Sequence, residues 1–300
     1  MALETTGNSV KSNRGAALII VLWLVASLSL VVLAGAQSIR LQARRTALDL
    51  ERLRAESVLD PAIELVTQRL LADRGKSGGY RIQRLALGES DAWVEITPSG
   101  GLVDVNVASE ALLQALLQRV GGLPAGEAAV LASRIRGNGD PGAPPGNVGG
   151  IQAATPRNAA LEDPAELQSM PGMTAGLYEI IAPYLGINGQ QRIEIDSAPP
   201  ALIDALTGQQ GLGARVHHSP PEMRAGLLIS GTAAEYFSPA SVSGGQTVRL
   251  RAFVQTQGGR WWLREAWVDL GQRLDALTPW TTLSLEPTRR HNMPEQEKTP

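Results

Sequence analysis

Residues 16–36 form a run of 21 positions without a charge. As a helix rising 1.5 Å per residue, the run would be about 30 Å long, the thickness of the bilayer hydrocarbon. Beyond it the apolar residues thin to one side. Ile39, Leu41, Leu48, Leu50, Leu53, Val58, Leu59, Ile63, Val66 and Leu70 recur at helical spacing to about Ala72. The pattern predicts one helix, apolar all round at its start and one-sided further on. Pro61 follows Asp60 within it and is expected to kink the helix, or to restart it with Asp60 as cap.

After a loop at "KSGGY", residues 80–87 and 92–97 alternate as a strand pair around a turn at 88–91. Residues 247–255, 260–270 and 280–285 predict three more strands, and the polar stretch 286–300 is expected to be disordered. Between the two groups of strands the period is helical. Residues 111–120 and 127–136 form a helix pair across "GGLPAG", and a Gly/Pro-rich loop follows from 137 to about 160. A second pair spans "DPAELQSMPGMTAGLYEIIAPYLGI", where Asp163, Pro164 and Glu166 make an N-terminal capping pattern. "VDVNVASEALLQAL" from Val103 repeats as "IEIDSAPPALIDAL" from Ile193 at a constant offset of 90. Each copy predicts a short strand, a polar cap and an amphipathic helix, with Asn106 and Asp196 as helix or turn caps. Trp261, Trp262 and Trp267 are expected to cover a sheet face.

Composition narrows the chemistry. With 43% hydrophobic residues in 300, the chain is long enough to bury real cores. The net charge of −2 supplies no overall pull toward nucleic acid, and the absence of cysteine removes disulfides and thiolate metal sites. "GNGDPG" matches a dinucleotide fingerprint by letter, but it follows a helix and puts Pro141 where a helix should start. "RGKS" ends a helix and has Leu70 in place of the first glycine of a phosphate loop. No nucleophile elbow, zinc-protease or EF-hand motif is present, so an enzyme is not expected.

The polar head before the run carries Lys11 and Arg14, whereas Arg40, Arg44 and Arg45 lie beyond it, so charge alone does not set an orientation. "LAGAQS" at 33–38 offers a small-x-small cleavage site and keeps a secretory signal open as an alternative. "RG" followed by "AALIIVLWLVASLSLVVLA" resembles the leader and first helix of the type IV pilin and pseudopilin superfamily. That resemblance implies cleavage by a prepilin peptidase between Gly15 and Ala16, with Ala16 as the N-methylated terminus. Most members carry a glutamate at the fifth mature position, where this chain has Ile20. Its loss, together with "NVASEALL", "MPGMTAGLYEIIAPYL" and "IDSAPPALIDAL" in that order, resembles the K-type minor pseudopilin of type II secretion.

The resemblance implies an α+β fold: a long N-terminal membrane-spanning helix and a pilin-like α/β domain with an inserted α-helical domain. The expected boundaries are a leader at 1–15, the helix at 16–75, the pilin-like domain at 76–105 and 187–285, the insertion at 106–186, and a tail at 286–300. It implies a subunit at the tip of the periplasmic pseudopilus, held in the bacterial inner membrane, that initiates and caps assembly for export across the outer membrane. Its partners would be the other minor pseudopilins, the major pseudopilin and the prepilin peptidase, with no nucleic acid. Relatives of this type bind calcium. Here Asp140, Glu162 and Asp163 flank the long loop as weak candidates, and solvated acids with no cofactor are the preferred reading. "RIRGNGDPGAPPGNVGG" replaces the acid-rich segment expected after that helix.

A membrane-anchored DNA receptor of competence type is the alternative. "MPGMTAGLYEIIAPYL" and "VGGLPAGEAAVLASRIR" both resemble helix-hairpin-helix units, whose Gly-rich turns point N–H groups at a DNA phosphate. Phosphate contacts call for Lys or Arg beside the turn, and only Arg134 and Arg136 answer, after the first hairpin.

Overall fold

The structure, a computed structural model, describes residues 13–73, 79–139, 160–228, 235–238, 247–271 and 279–291. By its internal contacts the chain divides between residues 54 and 55. Helix α1 (Asn13–Ala72) supplies the whole described part of the first unit and opens the second. It continues as one helix through Pro61, so it does not restart with Asp60 as cap. Pro61 lies on the exposed side, where water can stand in for the missing ladder bond, while Leu59, Ala62 and Ile63 on either side of it are held in a core.

In the second unit β1 (Arg81–Leu87) and β2 (Ser90–Pro98) form the expected hairpin, with Gly88 at φ +61° in its turn. A short 3-10 turn, Ser99–Gly101, leads to β3 (Val103–Asp104), α2 (Glu110–Arg119) and α3 (Ala125–Gly139). Pro164–Ser169 is a single 3-10 helix where an α-helix was expected. It does carry the capping box, with Asp163 accepting from Ala165 and Glu166 reaching back. Then come α4 (Ala175–Ile181), β4 (Leu185–Gly186), β5 (Ile193–Glu194), α5 (Pro200–Thr207), α6 (Leu212–His218), α7 (Pro221–Leu228) and β6 (Phe237–Ser238).

Strands β7 (Thr247–Gln255), β8 (Trp261–Asp269) and β9 (Thr281–Leu285) agree closely with their predicted spans. The tail, expected to be disordered, contributes β10 (Arg289–His291), which pairs with β8 at 261–263. The sheet runs β1-β2-β7-β8-β10, with β9 also on β8, and all its pairings are antiparallel.

Two cores form. In one, Ala55, Leu59, Ala62, Ile63 and Val66 of α1 pack on the alternate residues Val94 and Ile96 of β2, Leu250, Ala252 and Val254 of β7, and Ala266 and Val268 of β8. Steps of three and four on the helix and of two on the strands bring these sets together. Each fully buried Val, Leu or Ile among them is worth about 1.5–3 kcal/mol. The other core is helical and joins Val103, Leu112, Leu116, Leu131, Ile135, Leu177 and Ile181 to Ile193, Leu202, Leu206, Val216 and Phe237. The described residues between 193 and 237, expected in the sheet domain, therefore pack with the insertion, so the helical core extends well past 186.

Candidate functional site

Three places answer to the sequence expectations: the start of α1, the turns of the helical core, and the layer between that core and the sheet.

Gly15 and Ala16 stand in the first turn of α1, and Ile20 follows one turn later. From Leu18 to Leu30 every side chain is exposed, and the large apolar ones are 54–73% exposed. Among the described residues, none buries any face of this stretch. Among the described residues no helix is long and apolar enough to cross a membrane. The run at 16–36 lies wholly inside α1, but side chains 31–39 fall outside the described set.

The repeat at offset 90 is a structural one. β3 and β5 occupy equivalent residues, as do the first turns of α2 and α5. Each copy also closes with a parallel pair: Val103 beside Leu185, and Ile193 beside Phe237. Asn106 and Asp196, expected as caps, have other work. The cap of α2 is Ser109, which accepts from Leu112. Asn106 instead exchanges two hydrogen bonds with the backbone of Leu161, at 2.8 and 3.0 Å, and Asp196 pairs with Arg224 at 3.0 Å.

Asp104 and Glu194, equivalent carboxylates not among the residues expected from the sequence, are 1% and 3% exposed. Asp104 accepts from the backbone of Asn106, Val107, Asn188 and Gly189, which ties the returning chain to the start of the insertion. Glu194 accepts from Gln190 and Ser197. The signal was available: an acid at the same place in both copies.

Glu162 and Asp163 sit at the capping box. Glu166 accepts from the N–H groups of both, and Asp163 from that of Ala165. Asp140 lies outside the described residues. Calcium needs six to eight oxygens, and among the described residues no three His, Cys, Asp or Glu side chains gather as a metal site.

The hairpin turns of α2–α3 and of the stretch before α4 lie together. Leu123, Pro124, Val130, Leu131, Arg134 and Gly172, which has φ +97°, line a groove between them. Both arginines sought for phosphate act as braces: Arg134 donates to the Pro171 carbonyl at 2.7 Å, and Arg136 to that of Asn106 at 2.8 Å. Arg119 likewise donates to the Leu206 carbonyl, joining the two copies.

The sheet face opposite α1 is charged and buried. Arg251 lies 2.9 Å from Glu95 and 3.8 Å from Glu265. Arg249, 1% exposed, rests over the Trp267 ring, and its Nε and Nη2 have no hydrogen-bond partner among the described residues. Burial pulls its guanidinium below the ordinary arginine value, with Glu265 opposing. On the insertion side, burial and then the charges of Asp163, Glu265 and Glu286 push the Tyr178 phenol up to about 12, so it stays neutral. The three tryptophans divide between faces: Trp262 lies in the core with α1, whereas Trp267 faces Arg249.

No protein-family profile matches this sequence, and no curated protein does. The fold is similar to that of a chain in the crystal structure of the GspK-GspI-GspJ complex from the type 2 secretion system of enterotoxigenic Escherichia coli. The match has a TM-score of 0.52 and 16% identity, and covers 83% of this chain and 100% of that one. The likeness is one of fold.

Proposed function

We propose that this chain is a K-type minor pseudopilin that starts and caps the pseudopilus of a type II secretion system. The observation that carries the reading is the fold likeness over the full length of a chain from the GspK-GspI-GspJ complex. The leader pattern and the residue at position 20 support it independently.

Cleavage after Gly15 would leave Ala16 as the new terminus and keep the apolar run as an inner-membrane anchor, with the cores on the periplasmic side. In an assembling filament α1 packs against the same helix of its neighbours. A carboxylate in hydrocarbon is retained only where a partner neutralises it. Ile20 offers none, so this subunit makes no pairing with the terminal amine of a preceding neighbour and belongs at the tip. The helical insertion adds bulk there that hinders further stacking. No step in this mechanism is catalytic.

The test is co-purification from the native host. The full chain is expected to carry its own I-type and J-type minor pseudopilins with it, and Ile20→Glu is expected to let it appear in the filament body as well. A chain that co-purifies with neither partner would remove this reading.

A further inference from the structure

Arg40, Arg44 and Arg45 follow the uncharged run on α1, and no acid occurs between that run and Asp49. All three are exposed, and none reaches a carboxylate among the described residues. Arg45 and Asp49 have the four-residue spacing at which helical charges meet, yet they do not pair.

Their position along the helix is informative. At 1.5 Å per residue Arg40 stands about 6 Å beyond Ala36, and Arg45 about 14 Å beyond it. The headgroup layer adds roughly 5–8 Å to each side of the hydrocarbon. Arg40 is thus at phosphate depth, and the other two stand just outside it, within reach of a long side chain that bends back. Position around the helix separates the kinds of partner. Arg40 and Arg44 share a face, while Arg45 lies about 100° away from Arg44. A partner helix would meet one face, whereas a layer of phosphates surrounds the helix and meets both. Arginine also suits phosphate, which it grips with two parallel hydrogen bonds.

We propose that Arg40, Arg44 and Arg45 bind the phosphates of anionic phospholipids where α1 leaves the bilayer, and so fix the depth at which the helix sits. The proposal rests on the membrane-anchor reading above. It concerns the collar of charge, which that reading neither needs nor explains.

The full-length chain is to be placed in nanodiscs of phosphatidylcholine mixed with phosphatidylglycerol, released into detergent, and its retained lipids identified by native mass spectrometry. Wild type is expected to keep phosphatidylglycerol in preference to phosphatidylcholine. The preference should fall about fivefold for each arginine replaced by glutamine and on the order of a hundredfold for the triple variant. Arg192→Gln, on the exposed surface of the second unit, should leave it unchanged, and added salt should weaken it. Equal retention of the two lipids, or a triple variant that keeps the preference, would overturn the proposal. So would a triple variant that retains its lipids and instead loses its co-purifying proteins, since the collar would then face protein. A chain that does not enter nanodiscs of either composition would overturn the anchor itself and this proposal with it.

Discussion

Leu24 and Leu59 are the same residue type on the same helix, yet Leu24 is 65% exposed and Leu59 is fully buried. Around Leu59 the apolar residues keep to one side, and the alternating residues of β2, β7 and β8 supply a surface to cover them. Around Leu24 they occupy every side, and among the described residues nothing covers them. An all-round apolar helix is stable only where its solvent is not water or where it is packed on all sides. One continuous helix therefore holds two different stretches: one that completes a fold, and one that the described residues leave uncovered.

The sharpest way to break this comparison is to truncate both leucines. Leu59→Ala is expected to cost about 3–4 kcal/mol through lost burial and the cavity left behind, seen as a lower unfolding midpoint of the full chain in detergent. Leu24→Ala should leave the midpoint unchanged. Equal effects would mean that the first stretch also belongs to a packed core. Next in size, Leu24→Asp places a carboxylate at the middle of the run, a cost of about 3 kcal/mol against insertion. The variant should shift from the membrane to the soluble fraction while the sheet core stays folded by near-ultraviolet circular dichroism.

A smaller effect concerns Pro61, which sits inside the covered stretch. A proline in a helix interior costs about 3 kcal/mol, and part of that is offset because it stiffens the unfolded chain. Pro61→Ala is accordingly expected to raise stability by about 1–2 kcal/mol, read from the same unfolding midpoint. No gain would indicate that the helix restarts there in solution.

Much of this was legible in the sequence. The end of α1 near Ala72, the strands of the sheet and the repeat at offset 90 all follow from periods of 3.6 and 2, or from the aligned copies themselves. What escaped has a common cause, in that neighbours distant in sequence decided it. The repeat announced β3 and β5, but their partners β4 and β6 are two residues long and show no period at all; their existence depends on the parallel pairing. In "TVRLRAFVQ" the alternation correctly places Val248, Leu250, Ala252 and Val254 toward α1. It cannot tell that Arg249 and Arg251, on the other face, are buried rather than solvated. The continuation through Pro61 likewise depends on packing either side of it. At the candidate site the sequence located Gly15, Ala16 and Ile20 by motif alone. Asp104 and Glu194 stand at the same place in both copies of the repeat, but only their burial shows that these acids are structural.

The most direct test of the central claim is the N-terminal mass of the protein purified from membranes of its native host. The account predicts a chain that begins at methylated Ala16, and a Gly15→Asp variant that keeps its leader. A chain that begins after Ala36, or one that retains Met1 in the wild type, would contradict it.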